Sequence, residues 1–204
     1  MAKALTAFHK AITRSEDLLT VYTSLSKDPA IVKCEAKDLL RSALVMAVAG
    51  MDAYFTGRFT ENIVVYLKTN RPTDGMVKIL SKAGLDTRQA LEMIAMDRPW
   101  RRIRTLLDDH LFDHTTQRFD AIDDLFVVYK VKDLCTNAEG LSKRKELLKS
   151  VELAVQRRHA IVHRADINGH DKLNGIELLW TRGKIADVKL FVEKCETLIA
   201  KVLP

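Results

Sequence analysis

Between Arg157 and Arg164 the chain places three arginines and two histidines within eight residues: Arg157, Arg158, His159, His163 and Arg164. These side chains suit proton transfer around a phosphate. An imidazole, with an ordinary pKa of roughly 6.5, both takes and gives a proton near neutrality. A guanidinium keeps its charge and presents a planar fork that fits phosphoryl oxygens. At about 100° per residue, Leu147, Leu148, Val151, Ala154, Val155, Ile161, Val162 and Ala165 share one apolar arc of a helix, and Arg158 falls inside it. His159 and His163 stack on the edge of that arc, while Arg157 and Arg164 point the opposite way.

An arginine on an apolar face is costly to bury unless it is paired. Either Arg158 meets a carboxylate from another helix, or the arc is partly an interface or cleft where an anion sits. Cleaving RNA without a metal needs a proton acceptor for the 2′-hydroxyl, a donor for the leaving oxygen, and positive charge at the phosphoryl oxygens. One helix supplies all these types, but Arg158 and His163 lie about 140° apart around it. Two copies facing each other across a two-fold axis would bring them together.

The segment Arg158-His159-Ala-Ile-Val-His163 resembles the R-(polar)-x-x-x-H motif of the HEPN superfamily. The polar continuation Arg164-Ala-Asp166-Ile-Asn168-Gly169-His170 is similar to the RiboL-PSP-HEPN group, in which the motif sits late in the chain on a long helix. The resemblance implies a metal-independent endoribonuclease needing no cofactor, acting in bacterial stress, toxin–antitoxin systems or phage defence. It implies a homodimer that acts on RNA, with an antitoxin or regulatory protein as a further partner. By the same resemblance Arg158 holds the phosphate, His163 is the general base or acid, and His159 supports them, with Arg157 and Arg164 as substrate-binding neighbours. Some HEPN toxins carry a modified tyrosine two positions after the motif histidine. Here that position is Ala165, which puts that form of regulation in doubt.

The totals fit such a reading. With 204 residues, 47% of them apolar and 29% charged, the chain is long and apolar enough for one domain with its own core. Eight glycines and four prolines favour helices. The net charge of +6 suits a polyanionic partner. Cys34, Cys135 and Cys195 stand far apart and read as reduced packing residues. Lys3, His9, Lys10 and Arg14 interrupt any leader-like apolar run, and the uncharged stretch from Ser42 to Met51 is too short for a bilayer. A soluble, cytoplasmic protein is expected. No glycine-rich phosphate loop is present.

Helical periodicity and the lack of strand-like alternation predict an all-α, HEPN-like bundle with short extra helices inserted in the middle. A first helix is expected over 4–25, ended by Ser26-Lys-Asp-Pro29. A second over 31–56 is apolar almost all round in its later half, as if surrounded by other helices. Asp52 is its candidate carboxylate for Arg158; otherwise it lies near the helix end in water. Gly57-Arg-Phe-Thr60 reads as a break before a short helix from Thr60 to Lys68. Thr73 is expected to cap Met76–Ala83, and Asp86 or Thr87 a short piece to Ile94. Pro99 suits the first position of a helix to His110.

That helix starts Arg98-Pro-Trp100-Arg101-Arg102-Ile-Arg104, which either grips a single strand by stacking and phosphate contact or is a core indole beside solvated arginines. From Asp108 to Asp124 the charge reverses and would turn a polyanion away. His110, Asp113 and His114 have metal-like spacing but lack a third-ligand pattern. Helix resumes over Ala121–Val131, Asn137-Ala-Glu-Gly140 reads as a loop, and Ser142 is expected to open the motif helix. Residues 166–175 read as a connection, Leu178 to Trp180 as a short extended piece, and Ile185–Val202 as the closing helix. Two readings compete with a ribonuclease: a non-catalytic HEPN module that binds RNA or nucleotide, and a helical interaction protein with Arg158 in a structural salt bridge.

Overall fold

The computed structural model describes residues 2–27, 33–112 and 116–203, and they are all-α. Among the described residues nine helices follow in order: α1 Lys3–Leu25, α2 Lys33–Thr69, α3 Asp74–Lys82, α4 Thr87–Ile94, α5 Pro99–Phe112, α6 Phe119–Val127, α7 Leu134–Ser142, α8 Leu147–Arg164 and α9 Leu178–Ile199. The only extended pairing among the described residues is an isolated bridge between Ile167 and Leu173.

Helices α1, α5, α6, α8 and α9 all pack against α2. It runs for 37 residues, about 55 Å at 1.5 Å per residue. Gly57 does not break it. Instead Gly50 and Gly57, seven apart, form a small-residue seam against Ala11 and Ala4 of α1. A Cβ at Gly50 would come within 2.7 Å of the Ala11 Cβ, and one at Gly57 within 3.3 Å of the Ala4 Cβ. These glycines are therefore close-approach residues, and the expectation of a break there is corrected. The backbone N–H of Ala4 donates to Glu61 Oε1 at 2.9 Å, which fixes where α1 starts against α2.

On its other side α2 meets α9 and α6 through rings. Phe55 packs against Phe126 and Phe191 with centroids 6.0 and 5.8 Å apart, and Tyr129 donates its hydroxyl to the Phe59 carbonyl at 2.7 Å. Tyr54 donates to Glu196 of α9 at 2.6 Å, and Arg58 pairs with the same carboxylate at 2.9 Å. Burial and the adjacent Glu196 push the Tyr54 phenol well above its ordinary pKa. Cys135 and Cys195 are buried free thiols.

The short helices sit where their caps place them. The Thr73 hydroxyl accepts from the Met76 N–H at 3.3 Å, and Asp86 accepts from Gln89 N–H at 2.8 Å. Three other expectations are corrected. Residues 137–140 lie inside α7, because Leu134, Cys135 and Ala138 bury one helical face. Ser142 ends α7 rather than opening the motif helix, which begins after Glu146 in a left-handed conformation (φ 56°). Leu178 to Trp180 belong to the first turn of α9, whose buried Thr181 and Ile185 continue the same face.

Candidate functional site at the end of α8

The first half of α8 is core, with Leu147, Val151 and Ala154 fully buried, while the second half emerges from the fold. Ile161 is half-buried, and Val162 and Ala165 are exposed. The apolar arc read from the sequence therefore continues past the protein's own packing. Beside it runs a strip of α2 in which Ser42 and Ala49 are exposed and Val45 and Met46 are half-buried. Elsewhere α2 is surrounded as expected, by α1, α5, α6, α8 and α9. Between the two strips lies an open groove of about 690 Å³.

Arg158 points into the neighbouring cavity. This space of about 300 Å³ is lined by Ala49, Asp52, Thr56 and Thr60 of α2 and by Asp108 and Phe112 of α5. The Arg158 Nε is buried and has no hydrogen-bond partner, and no carboxylate pairs with its guanidinium among the described residues. Asp52 shares the cavity but faces elsewhere. Its Oδ1 accepts from the Thr116 N–H and hydroxyl, both at 2.6 Å, and its Oδ2 from Gln117 at 3.0 Å. The Asp52–Arg158 pair expected from the sequence is thus replaced by a brace for the approach to α6.

His159 and His163 stack one turn apart, ring centroids 4.4 Å from each other, and both are exposed. Arg164 is exposed in the last turn, where a cation complements the helix dipole. Arg157, expected to bind substrate, turns inward. Its Nη2 donates to Asp166 Oδ2 at 2.7 Å and to the Gly175 carbonyl at 2.9 Å.

Asp166 is the residue that the sequence reading missed. It is fully buried and joins three segments. Arg41 Nε of α2 also donates to its Oδ2 at 2.7 Å, and Asn174 donates to its backbone carbonyl at 2.9 Å. Arg41 reaches the Asn174 carbonyl as well, at 2.7 Å. Ala165 and Asp166 both adopt left-handed backbone conformations (φ 48° and 58°), and the Asp166 N–H closes the helix on the Ala160 carbonyl at 3.1 Å. The only sequence signal was a carboxylate directly after a basic helix end, followed by polar and glycine residues. Of the His110, Asp113 and His114 trio, the last two lie outside the described residues. Among the described residues no three histidine, cysteine or carboxylate groups are placed to share a metal ion.

The arrangement offers an unpaired guanidinium at a cavity, two exposed imidazoles on the same helix, and an open apolar groove between them and α2. One stretch of α2, Ala36–Thr69, is long and apolar enough to cross a membrane, but 56% of its most apolar window is buried inside the fold, as befits a core helix. The chain matches no family model, no curated protein and no solved structure.

Proposed function

We propose that the protein is a metal-independent endoribonuclease of HEPN type that acts as a homodimer, with Arg158 and His163 as its catalytic pair. The observation that carries this is Arg158, a buried Nε without a partner, on a cavity whose carboxylates, Asp52 and Asp108, do not pair with it. Arg158 is half-buried with its Nε buried, and it lacks the carboxylate partner that the more deeply buried Arg41 and Arg58 have. The same observation weighs against the salt-bridge reading.

In the proposed reaction an imidazole takes the proton of a ribose 2′-hydroxyl, whose oxygen attacks the adjacent phosphorus. The bond to the 5′-oxygen breaks, and a second acid returns a proton to that oxygen. The products are a 2′,3′-cyclic phosphate and a 5′-hydroxyl. Arg158 stabilises the charge that develops on the phosphoryl oxygens. His163 and Arg158 project to different sides of α8, so the arginine of one protomer works with the histidine of its partner. The groove lined by Val45, Met46, Ile161 and Val162 supports that pairing.

The test is RNA cleavage in EDTA by wild-type, His163→Ala and Arg158→Lys proteins. Loss of a positioned acid or base lowers rate about 10²–10⁴-fold, and Arg158→Lys keeps the charge but loses the fork. Equal cleavage by all three would show a contaminant and end the enzyme reading. Binding of RNA with no cleavage by any of them would replace it with a non-catalytic module.

A further inference from the structure

The start of α5 has its charges the wrong way round. A helix N-terminus carries partial positive charge and favours acids, yet the first turn of α5 has no acidic residue and holds Arg101 and Arg102. Arg98 and Arg104 add to them, and all four are exposed. None of the four makes an ion pair or hydrogen bond among the described residues that would explain the placement. Local rules broken without local compensation mark functional positions.

Trp100 stands among them, 36% exposed, with Lys68 Nζ of α2 5.8 Å from its ring centroid. A part-exposed ring on a helix turn that also carries unpaired guanidinium groups is a combination that holds single-stranded nucleic acid, because bases stack on the ring while phosphates meet the cations.

The position of this cluster gives it a direction. Helices α2 and α5 run antiparallel: Lys68 lies beside Trp100, Val65 and Asn62 share a cleft with Arg104, and Thr60 and Asp52 share the Arg158 cavity with Asp108 and Phe112. From Trp100 to Phe112 is about 18 Å along the helix. Arg101, Asp108 and Phe112 fall within about 40° of one line on it, and Phe112 is 88% exposed at the cavity. The carboxylates of the intervening cleft are engaged elsewhere, Glu61 with Ala4 and Glu196 with Tyr54 and Arg58. Asp52 and Asp108 line the cavity at its end, and Asp52 is engaged by Thr116 and Gln117. The cations offered to phosphates are therefore Arg101 and Arg104 at one end and Arg158 at the other, with Asp108 opposing them.

We infer that Trp100, Arg101 and Arg104, with Lys68, form a single-strand RNA track that leads along α5 into the Arg158 cavity. The inference deepens the ribonuclease reading by naming unpaired RNA as the substrate class.

The experiment measures binding of a fluorescein-labelled unstructured 20-mer RNA by anisotropy, in His163→Ala protein, at several salt concentrations. Trp100→Ala is expected to weaken binding about 5- to 100-fold, from loss of one stacked base. Arg101→Glu is expected to weaken it and to flatten the dependence of log affinity on log salt by at least about 0.7. Its melting temperature should stay equal or rise, since the new charge suits the helix start. That combination separates function from misfolding. In the catalytically intact protein the same changes should raise KM and leave kcat nearly unchanged.

Cleavage that needs Arg158 and His163 but has the same KM in both variants would overturn the track and leave the ribonuclease standing. Loss of RNA binding in both variants, in a wild type that never cleaves, would keep the track and remove the catalysis. Binding of the wild type to phosphatidylserine vesicles through Trp100, with no RNA binding, would overturn the track in favour of a membrane surface.

Discussion

The Arg157 guanidinium lies 2.7 Å from the Asp166 carboxylate, and this contact ties the end of α8 to the loop that follows it. Arg41 meets the same oxygen from α2, also at 2.7 Å. Asp166 has no exposed side-chain surface, so its removal leaves two largely buried cations facing each other. Breaking a buried pair by deleting one partner typically costs about 3–5 kcal/mol. Asp166→Ala is expected to fall in that range by urea denaturation, and Asp166→Asn to cost less because the amide oxygen still accepts. Stability within about 0.5 kcal/mol of wild type would contradict the clamp.

Arg158, one residue away from Arg157, is expected to behave in the opposite way. Arg157 is paired with Asp166, whereas Arg158 buries its Nε with no carboxylate on its guanidinium, so it costs desolvation without a compensating pair. Arg158→Met keeps much of the length of the side chain and removes the charge. Unfolding free energy should stay the same or rise by about 1 kcal/mol while the proposed activity disappears. A loss of more than about 2 kcal/mol would mean that Arg158 is structural after all.

The groove-lining strip of α2 gives a test of assembly. Val45 and Met46 contribute to a groove, not to the core cluster, so Val45→Glu should leave the thermal midpoint within a few degrees of wild type. In sedimentation velocity the wild type should be a dimer at tens of micromolar, and the variant a monomer. A wild-type monomer under those conditions would remove the two-fold site.

Alkaline pH should destabilise the fold. Burial holds the Cys135 and Cys195 thiols and the Tyr54 and Tyr129 phenols above their ordinary pKa values. In the unfolded chain thiols ionise near pH 8.5 and phenols near pH 10. Above those values the unfolded state binds fewer protons than the native one, so stability falls as pH rises. Each group that is ionised only when unfolded contributes a slope of about 1.4 kcal/mol per pH unit. The melting temperature should therefore drop from about pH 9 and more steeply above pH 10, and Tyr54→Phe should flatten the upper part. A flat profile to pH 11 would contradict the burial of these groups.

How much of this was legible from the sequence depended on whether the signal was local. The Thr73 and Asp86 caps and the start of α5 at Pro99 were readable because each rests on a few adjacent residues. The stacking of His159 on His163 followed from helical spacing alone. Gly57 misled because a glycine in a helix signals either a break or a close neighbour, and only the position of Ala4 decides which. Asp52 was read as the candidate carboxylate for Arg158, and Asp166 was given no role. Asp166 takes its place through the left-handed turn at Ala165 and Asp166, which brings its carboxylate back to Arg157 of α8. Such a turn at an alanine has no sequence signature. Likewise, the apolar pattern of α2 could not reveal that Ser42 and Ala49 stay exposed.

The unbroken run of α2 also has a mechanical meaning. From Arg41, which grips the loop behind the motif helix, to Lys68, which sits over Trp100, the helix rises about 40 Å without interruption. A continuous hydrogen-bonded rod of that kind stretches very little, and the glycine seam against α1 holds it along its flank. The two ends therefore keep a constant separation, like marks on a gauge bar. Any ligand that touches both must supply that length itself.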